Sequence, residues 1–428
     1  MGTDDDARLS RRTYLKTTGA AGAVGLGGLS GLLEQGSAPL EVQHWWTGGD
    51  GGRAISALFE GFKQKYPDVK VNENPVSGGA GQNLHTVIKK RVLNNNPPST
   101  WQDWPGQNLK PYTDAGVLKD IEQSVWSKNG MKDAYLAGPK QVAQPAGNFV
   151  TVPLNIHRLN NLFYNVEVVE QAGVDPTSFS SPSDLLAALK TVESETNAAG
   201  MAHQTKSPWS TLQLWETELL ARHGPKVYRQ FYNGNVGQVQ SQIKDALRGV
   251  KQYRQYFNDD AGSVDWTQAN NKIINGEAAF IHQGDWAAGM YRGQQGFAYE
   301  KQWNQVTYPG TNGLYSQVID SFPFPKNNPS PDATTKFLQY VGSVDGQRRF
   351  NPKKGSIPPR SDVPKDAFGP FLRSQMDDFK QSNGQPPSTA HGLAVPPETL
   401  TNLEGAFASF NSNWNVDRTY QGISRAFQ

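Results

Sequence analysis

Apolar positions in the first quarter of the chain alternate between strand spacing and helical spacing. Leu40 to Trp46 carries alternating apolar residues and predicts a strand. Apolar residues then recur every three or four positions as far as Pro67, which ends the predicted helix. Val69 and Val71 begin a second strand, and a second amphipathic helix covers 83–93. This strand–helix–strand–helix order predicts an α/β architecture.

The remainder of the chain adds buried strands and longer helices. Apolar runs predict strands over Phe149–Leu154, Ala278–Gln283 and Val318–Phe324, and helices around 183–192, 211–223 and 236–258. Gly276 follows a predicted helix that closes at Asn275, where a left-handed cap is expected. The sequence has no repeats and no long flexible linker, so two lobes would be joined by several crossings rather than by a tether.

Composition narrows the class of protein. A length of 428 residues predicts two to three domains, and the absence of cysteine excludes disulfides, Cys-ligated zinc, iron–sulfur clusters and a thiol nucleophile. A net charge of +2 is too small for a protein that binds nucleic acid through its phosphates. A mean hydropathy of −0.62 argues against a polytopic membrane protein.

The N-terminal segment resembles an export signal. Ser10–Lys16 places paired arginines before an aromatic residue and leucine, and a weakly apolar stretch, Thr17–Leu33, follows, as in twin-arginine leaders. The alternative is a cytosolic tail that happens to contain Arg-Arg. Leu29–Leu32 resembles a lipoprotein processing box without its cysteine. We therefore expect a leader over 1–38 and an extracytoplasmic protein at or near the outer face of the membrane. It is either released after cleavage near Ser37 or tethered by an uncleaved leader.

Aromatic and polar residues coincide at predicted strand ends and loops, where open α/β sheets bind ligands. The coincidences are Trp45-Trp46, Gln102 with Trp104, Trp215-Glu216, Asp265-Trp266, Asp285-Trp286 and Asp320-Ser321. A sugar ring has an apolar face that an indole can cover and a rim of hydroxyls that carboxylates and amides can bind. The repetition favours a carbohydrate ligand, whereas any single pair taken alone is better explained by core packing.

Motifs for catalysis are absent from the sequence. It has no Gly-x-Ser-x-Gly elbow, Walker loop, His-Glu-x-x-His helix or dinucleotide fingerprint, and its seven histidines do not fall at metal-ligand spacing. Gly78–Gly81 could cradle an anion or form a plain turn. A carboxylate pair drawn from Glu216, Asp285 and Asp320 keeps a secreted glycoside hydrolase, or another carbohydrate-active enzyme, as the alternative.

Several ordered motifs resemble one known family. They are Trp45-Trp46 with a following glycine-rich loop, Lys63–Pro67, Ser77–Gly81, Val152–Arg158, Leu214–Glu216, Asn275–Phe280, Gly284–Gly289, Asp320–Phe322 and Phe350–Ile357. From about Glu41 to the C-terminal region, the chain resembles an extracellular solute-binding protein of the family 1 sugar type. Within that type it is most similar to the glucose/mannose-binding branch that serves ABC importers.

The resemblance also implies a binding site. Sugar contacts carried over by motif fall on Trp45, Trp46, Gln102, Trp266, Asp320, Lys354 and His391, with Asp285 and Trp286 at or just behind the site. Asp50 also matches, although its loop is one residue longer here. Trp104 stands where close relatives place a histidine, and this puts a glucose preference in doubt. Other roles are open: Trp286 could anchor a helix start in the core, and Lys354 could belong to a solvated charge run.

The resemblance further implies an α/β fold of two lobes, the type II-like periplasmic binding-protein fold, with a multi-segment hinge and the ligand in the cleft. The first lobe would take 39–153 and 308–350, and the helix-rich second lobe 154–307 and 351–428. The implied function is non-enzymatic: capture of a monosaccharide such as glucose, galactose or mannose by cleft closure, and delivery to an ABC permease. We expect a monomer with no cofactor, no metal and no nucleic-acid partner.

Overall fold

The structure is a computed structural model that describes residues 38–78 and 81–428. The predicted export leader lies outside the described residues, apart from its last position, Ala38. Gly79 and Ala80 of the glycine-rich loop also lie outside them.

The described residues form eleven strands and sixteen α-helices. The strands are β1 Leu40–Gln43, β2 Val71–Glu73, β3 Thr100–Trp101, β4 Thr151–Pro153, β5 His157–Arg158, β6 Asn161–Asn165, β7 Ala199–Met201, β8 Ala278–Gln283, β9 Trp303–Thr307, β10 Gln317–Val318 and β11 Ser321–Pro323. The helices are α1 Gly49–Lys65, α2 Gln82–Leu93, α3 Lys110–Asp114, α4 Met131–Ala134, α5 Ala137–Val142, α6 Val166–Gln171, α7 Pro182–Glu195, α8 Pro208–Tyr232, α9 Gln240–Tyr253, α10 Trp266–Ile274, α11 Trp286–Tyr291, α12 Pro331–Val341, α13 Val344–Lys354, α14 Pro370–Gln381, α15 Pro397–Asn413 and α16 Val416–Ala426. Among these helices, none combines the length and the apolar character needed to cross a bilayer.

The N-terminal sheet has three parallel strands, with β1 between β2 and β3. Helix α1 connects β1 to β2 and α2 connects β2 to β3, so the predicted order of elements is confirmed. The prediction that β1 reaches Trp46 is wrong, because the strand ends at Gln43. Past that point the Trp45 amide leaves the ladder and donates to the side chain of Gln102 at 3.1 Å.

A second, four-stranded sheet has the order β7-β8-β6-β9, in which β6 runs antiparallel to both of its neighbours. The bounds of β8 coincide with the predicted strand Ala278–Gln283, and every residue of it is buried. Gly276 has a φ of 72°, which confirms the left-handed cap before the strand. A short, mostly apolar segment preceded by a glycine cap is therefore predictable from sequence.

The predicted strand Val318–Phe324 is wrong in extent, because it divides into β10 and β11. The division falls at Asp320, whose amide donates to the side-chain oxygen of Asn155 at 2.7 Å. The Asp320 carbonyl accepts the Leu154 amide at 2.8 Å. Asp320 thus lies between β10 and β11, with its backbone held by the segment that contains Leu154 and Asn155.

Two large hydrophobic clusters fill the interior. One lies around the three-stranded sheet, α1, α12 and α13, and includes Phe59, Phe322 and Phe337. The other lies around the four-stranded sheet and the helices α7, α8, α9, α15 and α16. Each cluster surrounds its own sheet, so the polar residues that connect the two sheets lie between two separate packed interiors.

Replacing Phe337 with alanine should lower the free energy of unfolding by about 3–5 kcal/mol. The Phe337 ring is fully buried and packs within 6 Å of Phe59, Phe62 and Phe322, measured between ring centroids, so its removal leaves a cavity between α1 and α12. Leu93→Ala is the matched control: Leu93 is 49% exposed, and its loss should change stability by no more than about 0.5 kcal/mol. Urea denaturation measures both, and equal effects would contradict the assigned core.

Candidate functional site

Gln102 and Asp320 bring the two sequence-distant parts of the candidate site together. Gln102 follows β3, and its Nε2 donates to Asp320 Oδ1 at 3.0 Å. Its Oε1 accepts the Trp45 amide, so the same side chain also fixes the segment after β1. Both residues are buried. A single amide therefore ties Trp45 to a carboxylate that lies 218 positions further along the chain than Gln102.

Asn155 holds Asp320 from the other side. Its Nδ2 donates to Asp320 Oδ2 at 2.7 Å, while its Oδ1 accepts the Asp320 amide. Burial raises the pKa of Asp320, and the charge of Lys354 and the two amide donors oppose that rise. A carboxylate offers about four acceptor positions, of which these amides occupy two. Asp320 can therefore accept further hydrogen bonds from a ligand.

Asp285 lies behind this group and is occupied by internal donors. His157 Nδ1 contacts Asp285 Oδ1, and the Arg158 amide donates to Asp285 Oδ2 at 3.1 Å. Asn155 Nδ2 lies 3.2 Å from His157 Nε2. Since an amide nitrogen only donates, His157 accepts at Nε2 and donates from Nδ1 to Asp285. Burial raises the pKa of Asp285. Burial lowers the pKa of His157 well below its ordinary value, and electrostatic interactions with Lys354 and His391 lower it further.

Lys354 and Asp50 form a buried ion pair, with Lys354 Nζ 2.6 Å from Asp50 Oδ2. Asp50 lies in the first turn of α1 and Lys354 in the last turn of α13, where each charge is favoured by the helix dipole. Arg53, one turn along α1, donates to the carbonyl of Gly289 on α11 at 3.1 Å. The predicted positions of Asp50 and Lys354 are thus brought into direct contact next to α11.

A continuous group of aromatic rings lies alongside these charges. Ring centroids are 5.6 Å apart for Trp45–Trp104, 5.5 Å for Trp104–His391 and 5.3 Å for His391–Trp286. His157 meets Trp286 edge-on at 5.3 Å, which connects the rings to the carboxylate network. We call these five residues the aromatic wall.

Two of the predicted tryptophans, Trp46 and Trp266, lie outside the aromatic wall. Trp46 is buried in the N-terminal core, where its ring centroid lies 4.9 Å from that of Phe350. Trp266 is half-buried at the start of α10 and packs against a small cluster that contains Trp286. Of the eleven residues proposed from sequence, these two are the least directly connected to the charged network.

Sequence reasoning missed several residues that complete the arrangement. His85 packs against Trp45 and Trp104, with ring centroids 5.7 and 5.1 Å apart. Asn155 and His157 stand inside a motif that the resemblance used, yet only the structure gives them partners. His85 had no local signal beyond its place in the amphipathic pattern of α2.

Glu216 holds the 388–390 loop, which precedes His391, through hydrogen bonds to its carboxylate. Its carboxylate accepts hydrogen bonds from Tyr228 Oη at 2.7 Å, Ser388 Oγ at 2.6 Å and the Thr389 amide at 2.6 Å. Burial raises its pKa. The carboxylate is directed at the loop that carries His391 and is saturated there. Among the described residues, no three His, Cys, Asp or Glu side chains lie together as metal ligands would.

Comparisons with known proteins match this geometry to one family. Residues 45–348 match the family model described as bacterial extracellular solute-binding protein. A xylose/arabinose-binding protein of Haloferax volcanii is 36% identical over 453 aligned positions, which cover 98% of each chain. An uncharacterised ABC transporter extracellular-binding protein of Pyrococcus horikoshii is 33% identical and covers 91% of this chain and 87% of its own.

Solved structures share the fold at low sequence identity. A chitin oligosaccharide binding protein superposes with a TM-score of 0.80 at 15% identity, over 91% of this chain and 98% of that one. The α/β fold of the two-lobe binding proteins, expected from the sequence, is therefore confirmed.

Replacing His282 on β8 with leucine should flatten the loss of stability in acid. Burial lowers the pKa of His282 to about 3, and neighbouring His203 adds to this. An unfolded histidine takes up a proton near pH 6.5, so such a group costs stability as the pH falls below that value. Between pH 6.5 and 5, the free energy of unfolding should fall by about 2 kcal/mol less in the variant than in the parent chain. Urea denaturation at both pH values measures this, and parallel pH profiles would contradict it.

Proposed function

Because the chain belongs to the bacterial extracellular solute-binding proteins, we propose that it captures a monosaccharide in this site and passes it, unaltered, to an ABC permease. The observation that carries the proposal is the position of Asp320. Its carboxylate is buried, held by two amides and next to a wall of indole and imidazole rings. This is the pairing of hydroxyl acceptor and apolar face that a sugar ring requires.

The division of roles follows from the contacts. Trp45, Trp104 and Trp286 offer faces or edges to the C–H surface of the ring. Asp320 accepts hydroxyl protons on its free lone pairs, and Lys354 offers N–H donors that Asp50 does not use. The side chains that touch the sugar are held in place before it arrives, so little conformational entropy is lost on binding.

Contacts that enclose the site at both ends favour a single sugar ring over a chain. Near Trp286, Arg53 donates to Gly289, as described above. Near His85, Gln82 of α2 donates to Glu404 of α15 at 2.5 Å. A groove open to a longer oligosaccharide would require one of these two hydrogen bonds, Arg53–Gly289 or Gln82–Glu404, to break.

The identity of the sugar is narrowed by Trp104. We first expected glucose, galactose or mannose, yet the Haloferax relative is named for xylose and arabinose. The indole of Trp104 fills the space between Trp45 and His391 that a smaller imidazole would leave open. We therefore extend the proposed ligands to aldopentoses, which lack the exocyclic hydroxymethyl group, and place them ahead of the hexoses.

Closure of two lobes supplies the transport mechanism in this proposal. The sequence predicts lobes of 39–153 with 308–350 and of 154–307 with 351–428. Tyr308, Tyr315 and Ile319 pack in the second core, whereas Phe322 packs in the first, so we propose that the chain crosses next to Asp320 rather than at 308. A sugar that contacts both lobes favours the closed arrangement by the free energy of its combined contacts. A permease then receives the closed form outside the cytoplasm, after export directed by the 1–38 leader.

The alternative, a glycoside hydrolase, is less well supported. It needs one carboxylic acid and one carboxylate facing the same bond. Glu216 accepts hydrogen bonds from Tyr228 and from the 388–390 loop. Asp285 has an internal donor on each oxygen and is 0% exposed, whereas Asp320 is 4% exposed. Neither Glu216 nor Asp285 therefore offers itself as the second acid beside Asp320.

Asp320→Asn should weaken monosaccharide binding roughly 10- to 100-fold, the range for a lost hydrogen bond to a charged acceptor. The new amide group would also face the donors of Gln102 or Asn155. Asp332→Asn, at an exposed acid on α12, is the control and should bind as the parent does. Tryptophan fluorescence titration with xylose and glucose measures the affinities. Unchanged binding in a folded Asp320→Asn protein would remove Asp320 from the site.

Gly289→Ala tests closure at the contact between α1 and α11, where Gly289 itself has no side chain that could contact a sugar. A Cβ at this position would lie 2.7 Å from Asp50 Cβ and 3.0 Å from the Lys354 carbonyl, so the α1–α11 approach would have to open. Overpacking of about 1–3 kcal/mol against the closed form should weaken binding roughly 5- to 100-fold. Gly405→Ala on α15 has no atom within 4 Å of the added Cβ and should bind normally. Equal affinities in the two variants would contradict closure at this contact.

A further inference from the structure

A chain of buried side-chain amides links Trp286 to His391 behind the aromatic wall. Trp286 Nε1 donates to Gln283 Oε1 at 3.1 Å, and Gln213 Nε2 donates to the same oxygen at 3.0 Å. The other end of the Gln213 amide, Oε1, lies 3.2 Å from His391 Nε2. Gln213 and Gln283 are 1% and 3% exposed.

The direction of this chain is fixed by its first member. An indole nitrogen can only donate, so Gln283 has to present its carbonyl oxygen to Trp286. The Gly284 amide, another obligatory donor, lies 3.3 Å from the same oxygen. Gln213 must then present its NH₂ group to Gln283 and its carbonyl oxygen to His391. Since that oxygen only accepts, the proton of a neutral His391 ring belongs on Nε2.

We propose that Gln213 and Gln283 are positioning residues that hold His391 in the Nε2–H tautomer, so that its Nδ1 lone pair accepts a hydroxyl proton of the bound sugar. Within the described residues, Nδ1 of His391 has no hydrogen-bond partner. The role of Nδ1 toward a sugar rests on the proposed function. The tautomer is a property of the free protein.

Helix α8 holds the backbone of His391 as well as its ring. Glu216 lies three residues after Gln213, on the same face of the helix. The Ser388 hydroxyl donates a hydrogen bond to the Glu216 carboxylate. The oxygen of that hydroxyl, Ser388 Oγ, accepts a hydrogen bond from the His391 amide at 3.2 Å. Burial lowers the pKa of His391 to about 3, so the ring is neutral at pH 7 and carries one proton. The helix therefore fixes both the place of the ring and its donor–acceptor sense.

Nitrogen-15 spectra of the full chain, labelled at histidine, test the assignment at pH 7 without sugar, with His391→Gln identifying the signal. We expect a neutral ring protonated at Nε2. Gln213→Leu and Trp286→Phe should each produce a mixture of tautomers. Trp209→Phe is the matched control: Trp209 also packs on His391, at 6.1 Å, but its indole makes no hydrogen bond to the amide chain. It should leave the tautomer unchanged.

An Nδ1–H or doubly protonated ring in the parent chain would overturn the proposal, as would an unchanged tautomer in both Gln213→Leu and Trp286→Phe. If Gln213 or Trp286 only supported the fold, its substitution would lower the melting temperature without changing the tautomer of His391. Gln213→Leu should also weaken xylose binding roughly three- to tenfold, as expected for a misdirected neutral hydrogen bond. If the tautomer is as expected and no sugar binds, the positioning role stands while the acceptor role and the proposed function fail. If sugar binds to an Nδ1–H ring, this inference alone fails.

Discussion

The Asp320 carboxylate cannot be buried without donors, and meeting that requirement organises the site. Removing a carboxylate from water is costly unless it is hydrogen-bonded and near a positive charge. Gln102 and Asn155 supply the hydrogen bonds, and the positive charge of Lys354 opposes the rise in the pKa of Asp320 that burial causes. Gln102 also accepts a hydrogen bond from the Trp45 amide, and Asn155 also donates one to His157, which contacts Asp285. The two amides that bind Asp320 therefore also position Trp45 and Asp285.

The same logic explains why this network suits reversible binding better than catalysis. Glu216 and Asp285 have internal donors on both oxygens, and Asp50 is paired with Lys354. Burial also disfavours the charged forms of His157 and His391. What remains exposed to a ligand is a set of oriented acceptors, donors and aromatic surfaces, held by helices α1, α8 and α13.

The sequence predicted those helices and strands whose hydrophobic pattern depends only on residues close by in the chain. The mostly apolar run of β8, the Gly276 cap and the periodicity of α1 and α2 predicted their elements closely, because burial and backbone geometry there depend on neighbours in the chain. The candidate site could be predicted at strand ends, and the family resemblance indicated most of the residues that the structure brings together there. It could not separate Trp45, which joins the aromatic wall, from Trp46, which packs against Phe350 in the core, because both lie beyond the end of β1, where strand alternation no longer applies. Nor could it find the Gln102–Asp320 bond or the Gln213–His391 bond, because the partners are 218 and 178 positions apart and only the tertiary fold brings them together.

The central claim is that this chain binds one sugar ring between its two halves and releases it intact. Isothermal titration of the exported chain with xylose, arabinose, glucose, galactose and mannose, followed by mass analysis of the recovered ligand and of an offered oligosaccharide, tests it most directly. The account predicts saturable one-to-one binding of at least one monosaccharide, with every recovered saccharide unchanged. A complete lack of binding across the panel, or any cleaved glycosidic bond, would contradict it.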